Sequence, residues 1–169
     1  MNQRRLVEDT SALASIDRVL ALLKVEIRTL ETELAALIEA DPLWARLAET
    51  FRSIKGVAHR SVATLLAFLP EIGTLSNKAI AKLVGLAPLA DDSGTRSGRR
   101  AIRGGRSPVR SILVLVASVV ARYEPDFQDV HRRLTLAGKK PMVVRIALAR
   151  KLIVRLNAKA RDARQAAIA

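Results

Sequence analysis

The chain has 169 residues, half of them hydrophobic, with only 3% aromatics, few Gly and Pro, and no Cys. That profile favours a helical core, argues against an all-β sandwich or a disordered tail, and excludes a disulfide scaffold or thiolate metal site. A formal net charge of +13 points to a polyanionic partner.

The charge is uneven: residues 1–50 carry six Lys/Arg against nine Asp/Glu, and residues 51–169 carry 23 against seven. An acidic first third joined to a basic remainder suggests a protein-facing part and a nucleic-acid-facing part. Leu13, Ile16, Leu20, Leu23, Ile27, Leu30, Leu34 and Leu37 alternate in steps of three and four, a heptad seam. Asp9, Thr10 and Ser11 are candidate caps for this helix. Two readings stand. One is a coiled coil between copies of the chain, making a homo-oligomer. The other is an amphipathic helix packed on its own globule, since Val19, Leu22, Val25 and Ile38 widen the stripe.

Residues 1–40 are therefore expected to form a coiled-coil helix and 41–169 a compact multi-helix domain, all-α throughout. Asp41 and Pro42 read as cap and first residue of a short helix burying Leu43, Leu47 and Phe51. Ile54 to Ala58 is a tight turn around Gly56, before a helix carrying Val62, Leu65, Leu66 and Leu69. Pro70 to Gly73 is a second turn, and Ser76 caps another short helix ended by Gly85. Helix, glycine turn, helix is the pattern of a helix-hairpin-helix binder of DNA backbone, in which free amides at a helix start meet a phosphate. Gly56 serves equally as a joint between two core helices, and Ala58 stands where such hairpins carry a second glycine.

The connection from Pro88 to Ser107 is long and poor in apolar residues, which marks a functional or disordered segment. Arg96, Arg99, Arg100, Arg103 and Arg106 fall within it, Arg110 lies just beyond, and no acid occurs from Ser93 to Arg122. Arginine forks suit phosphate, and Gly94, Gly98, Gly104 and Gly105 let backbone lie close to a ligand. Ser107 and Pro108 then start an almost wholly apolar helix, expected at the centre of the core. Pro125 opens the next helix, stopped by Gly138, and Pro141 opens the last.

A two-metal site is poorly supported, because Asp91 and Asp92, adjacent among the seven acids of the basic region, would point apart on an extended backbone, and no metal or cofactor site is expected in this chain. His59 and His131 read as surface or helix-end residues. A serine attacking a DNA phosphate needs an exposed hydroxyl and nearby cations. Ser93 has both, although on residues alone it is more often a turn residue than a nucleophile, and Ser97, Ser107 and Ser111 are rivals.

The run G-L-A-P-L-A-D-D-S-G-T-R-S-G-R-R-A-I-R-G-G-R-S-P-V-R-S-I-L, Gly85 to Leu113, resembles the C-terminal domain of insertion-sequence transposases of the IS110/IS116/IS902 family. The upstream I-K-G-V and L-P-E-I-G, the later A-G-K (Ala137 to Lys139) and R-K-L-I-V-R-L-N-A (Arg150 to Ala158) fit the same family. The resemblance implies a recombinase that cuts and rejoins DNA under a guide RNA, with Ser93 as covalent nucleophile. It maps Gly94, Arg96, Arg103, Gly104, Gly105, Arg106 and Arg110 onto the surrounding pattern. By physical role, Arg106 and Arg110 are the best candidates to hold the scissile phosphate. Family members also carry an RuvC-like domain with four acidic, metal-binding residues. Nothing before Leu13 matches it, so the chain is expected to be a truncated frame or half of a split protein. Mg²⁺ is expected only with that companion domain, and recombination by this chain alone is not. The alternative is a non-enzymatic helix-hairpin-helix clamp on nucleic acid. No apolar run is long enough to span a membrane, no signal-peptide core follows Arg4 and Arg5, and a cytoplasmic protein is expected.

Overall fold

The structure, a computed structural model, describes residues 9–88 and 102–167. Seven helices and no strand occur among the described residues: α1 Thr10–Ala40, α2 Pro42–Arg52, α3 His59–Phe68, α4 Asn77–Leu83, α5 Ser107–Val120, α6 Pro125–Leu136 and α7 Pro141–Gln165. The chain divides into two compact units, Met1–Leu37 and Ile38–Ala169.

The first unit is most of α1. Its start is capped by Asp9, whose Oδ1 accepts from the Ser11 and Ala12 amides at 2.7 and 3.2 Å. The helix runs three residues past the heptad seam, to Ala40, and stops where Asp41 takes an extended conformation ahead of Pro42. Val19, Leu22, Leu23, Val25, Leu30 and Leu37 are all exposed.

In the second unit the helix starts follow local rules. Asp41 Oδ1 accepts from the Trp44 amide at 2.9 Å, and Ser76 Oγ accepts from the Ala79 amide at 3.2 Å. Proline sits in the first turn of α2, α5, α6 and α7, where its missing N–H leaves no bond unmade. Helix α5 begins at Ser107 itself. The capping position falls one residue earlier than expected, on Arg106, whose side chain is engaged elsewhere.

Helix α7 is the hub: it packs against α2, α4, α5 and α6, while α5 also packs on α3 and α2 on α3. Its buried row is Val144, Leu148, Leu152, Ile153, Leu156 and Ala160. Leu47, Phe51, Leu65, Leu69, Ile72, Ile80, Leu113 and Phe127 complete the core. One polar side chain is fully buried among them. Asn157, with no exposed surface, accepts from the Gly73 amide at 2.9 Å and donates to Leu75 O at 2.9 Å and Asn77 Oδ1 at 3.1 Å. Gly73 lies close against α7: a Cβ there would sit 2.8 Å from the Ala160 carbonyl carbon. Asn157→Ala strands the buried Gly73 amide, whereas the Leu75 carbonyl keeps its bond from Arg161; we expect it to lower stability by about 2 kcal/mol, read from denaturant midpoints.

Helix α6 is fastened to α7 by charge around a buried ring. Arg155 bonds Asp126 and lies 3.4 Å from Glu124, while Lys151 Nζ lies 2.9 Å from Asp126 Oδ2 and donates to its carbonyl at 2.7 Å. Both cations stand over the Phe127 ring, at 4.9 and 4.7 Å from its centre. Burial works to raise the Asp126 carboxyl, but the hydrogen bonds from Lys151 and Arg155 prevail and hold it below its ordinary value.

Candidate functional site

Ser93, Gly94, Arg96, Arg99 and Arg100 lie outside the described residues, as do Ser97 and Gly98. Both ends of their connection are described, and they meet. Helix α4 ends in a tight turn, with the Leu86 amide bonded to Ala81 O at 2.9 Å and Gly85 at φ +72°. On the far side, Gly104 and Gly105 also take positive φ, +69° and +71°. The two glycine segments lie backbone against backbone: a Cβ on Gly105 would stand 2.6 Å from Gly85 Cα and 2.7 Å from the Val84 carbonyl carbon. The Arg106 amide donates to Leu83 O at 3.1 Å, and Arg110 Nη1 donates to Gly104 O. At Gly85 and Gly105 only a residue without Cβ fits this clasp.

Arg106 fixes the clasp to a third element. Its guanidinium donates to Phe68 O at 2.9 Å and, as a fork, to Glu71 Oε2 and Oε1 at 2.6 and 2.5 Å. One residue therefore joins the end of α3, the end of α4 and the start of α5. The hydrogen bond from Arg106 holds the Glu71 carboxyl below its ordinary value against the opposing effect of burial. The Arg106 guanidinium is correspondingly held more firmly protonated. A carboxyl depressed by its partner adds stability above its unfolded pKa and loses it as pH falls through the folded value. Wild type should therefore melt above Glu71→Gln at neutral pH, and the gap should close as pH falls below about 4, as thermal scans across pH will show.

Thus the arginines expected at the phosphate divide. Arg106 has its fork filled by Glu71, and Arg110 is turned to the Gly104 carbonyl. Arg103 is exposed at the mouth of the clasp. An incoming phosphate competes with the Glu71 carboxylate for the Arg106 fork. Glu71 was missed by sequence reasoning. Its signal was available, as the sole acid between Glu49 and Asp91 in a strongly basic stretch.

Gly56, at φ +100°, turns the chain between α2 and α3. A Cβ there would lie 3.1 Å from Val119 Cγ1 and the Val120 amide nitrogen, so the hairpin seats on the end of α5. Ile54 and Val57 are buried beside it, whereas Arg52, Lys55, His59 and Arg60 are exposed around it. Arg52 Nη1 lies 3.3 Å from His59 Nε2, and Lys159 Nζ lies 3.3 Å from Ser53 Oγ.

Among the described residues, no group of three or more His, Asp or Glu is placed to hold a metal ion, and no helix is long and apolar enough to cross a membrane.

An all-helical domain whose arginine-rich connection is clasped by glycines, behind a glycine-turn hairpin, has the makings of a DNA-handling protein. Residues 48–132, half of the chain, match the family model described as Transposase IS116/IS110/IS902 family, and the chain belongs to that family. The matched span contains the hairpin, Glu71, the clasp and α5. Among curated proteins, none matches the chain significantly. Family membership gives the chain a transposase-related function and implies interaction with DNA.

Proposed function

We propose that this chain is the DNA-binding, serine-bearing part of a transposase that cuts and rejoins DNA during movement of an insertion element. Ser93 Oγ attacks a DNA phosphorus, forming a serine–phosphate ester and releasing a sugar hydroxyl that carries, in net terms, the serine's proton. The phosphoester bond is exchanged and not hydrolysed, so a second sugar hydroxyl can reverse the step and seal a new joint. Arg96, Arg99, Arg100 and Arg103 neutralise charge on the five-coordinate phosphorus, Gly94, Gly104 and Gly105 let backbone lie close to the strand, and Arg106 and Arg110, bonded to Glu71 and the Gly104 carbonyl, hold the base of the connection. The Gly56 hairpin adds a backbone contact through first-turn amides of α3 that the helix itself does not use.

Family membership joined to the Gly85–Gly105 clasp carries this reading: two glycines on either side of the arginine-rich connection lie backbone against backbone at its base. Each residue the family pattern places near the nucleophile is on that connection or at its base.

In this reading, metal-binding carboxylates, with their Mg²⁺, come from an RuvC-like companion domain, and an element-encoded RNA selects the DNA. The heptad seam of α1, built from the Leu13, Leu20, Ile27 and Leu34 row and the Ile16, Leu23, Leu30 and Leu37 row, pairs with the seam of a second copy of the chain. The test is covalent capture. Chain, companion domain, Mg²⁺ and an interrupted DNA substrate that traps the intermediate should give a detergent-stable protein–DNA adduct, attached at position 93. Adduct attached elsewhere, or none, overturns the assignment.

A further inference from the structure

The tip of the α6–α7 hairpin, residues 133–145, lies beyond the matched residues and combines two properties that suit a partner surface. The first is uncompensated charge. No acid occurs from Val130 to Arg161, and His131, Arg132, Arg133, Lys139, Lys140 and Arg145 are all exposed around the turn. Arg132 is bonded to Asp129 one turn back, whereas both lysines stand at the apex. The second is exposed apolar surface. Leu136 is 83% exposed, with Met142 at 55% and Val143 at 42%.

The turn that presents them is well ordered by its own bonds. Gly138, at φ +69°, donates to Thr135 O at 2.9 Å, and the Lys139 amide donates to Leu134 O at 3.1 Å. These are the two bonds of a Schellman helix ending, a motif whose closing residue is frequently apolar and folds back onto the helix. Here that residue is Lys139. The base of the hairpin is held by the Asp126, Lys151, Arg155 and Phe127 cluster, so the tip projects from a fixed stem.

We propose that this tip is a second DNA contact, separate from the arginine-rich connection: Leu136 and Met142 wedge against base steps while Lys139 and Lys140 hold the flanking phosphates. Leucine and methionine wedges flanked by cations are a means by which proteins enter and open a groove, and duplex DNA supplies both the anion and the apolar stack. The proposal rests on the DNA-binding reading above, which also favours DNA over an anionic lipid surface.

The test uses the full chain and a 30-base-pair duplex, labelled at both ends with a fluorescent donor and acceptor and containing T-A steps. Binding is titrated at several salt concentrations. Lys139→Ala with Lys140→Ala should weaken binding about tenfold, and the slope of log affinity against log salt should fall by about 1.8, for two released phosphate contacts. Leu136→Ser should keep the wild-type slope but lose the wild-type bending signal. Both variants change exposed residues, and unchanged helicity by circular dichroism confirms the fold. If wild type does not bind the duplex, the broader reading fails and the tip contact with it. If wild type binds and the double-lysine variant matches it in affinity and slope, the tip contact alone is overturned. A Leu136→Ser chain that loses binding to phosphatidylserine vesicles but bends DNA like wild type assigns the tip to lipid, and overturns the proposal too.

Discussion

On the proposed mechanism, Ser93→Ala is expected to abolish the detergent-stable protein–DNA adduct and to leave duplex affinity nearly unchanged. The substitution deletes one oxygen and no charge. Affinity for DNA comes mainly from cations against phosphates, and every arginine of the connection remains. The chemical step loses its nucleophile outright, and deletions of that kind lower rates by about 10⁶ in other covalent enzymes. Quantifying adduct on a denaturing gel beside affinity by fluorescence anisotropy separates the two effects. Should adduct persist, the reacting hydroxyl is another serine. Ser107 and Ser111, both exposed in the first turns of α5, are then the next to substitute.

Gly105→Ala carries the largest expected cost in stability. The residue sits at φ +71°, in a region that costs an L side chain about 1–2 kcal/mol. Its Cβ would also strike backbone atoms of Gly85 and Val84, which cannot rotate away as a flexible side chain would. Relief requires parting the two strands of the clasp and losing the Arg106 amide bond to Leu83 O. A total near 3 kcal/mol is expected, counting strain from overpacking. Gly104→Ala is the control. It shares the positive φ, at +69°, but its Cβ would meet nothing within 4 Å, so only the conformational part remains. Denaturant titration of the two variants side by side reads the difference. Loss of more stability in Gly104→Ala than in Gly105→Ala contradicts the close approach.

Most of the secondary structure was legible because its signals are local. Asp41 before Pro42, Ser76 before α4, and the prolines of α6 and α7 each state a helix start within four residues, and the structure places starts there. What was not legible depends on residues far apart in sequence. Arg106 and Glu71 are 35 positions apart, and Gly73 and Asn157 are 84 apart, so no periodicity or spacing reveals either bond. The centrality of α7 was hidden for the same reason. Periodicity does not say which of its basic residues stay in solvent, and Arg161 and Arg164 reach carbonyls of Leu75, Ile72 and Pro70 and close the turn after α3. The apolar α5 looked the more central helix by hydropathy, but hydropathy does not report arginine stems packed over a turn. At the candidate site, the arginines and glycines were visible as types. Which arginine is occupied and which glycines touch was not.

Arg106, Lys151, Arg155, Arg161 and Arg164 thus act as rivets within the protein. Replacing any of them will loosen the framework before it removes a handhold for a strand. An alanine scan of the basic residues scored by DNA retention alone would assign these five to the interface. Scored together with melting temperature, the same scan sorts the basic residues into those that build the grip and those that exert it.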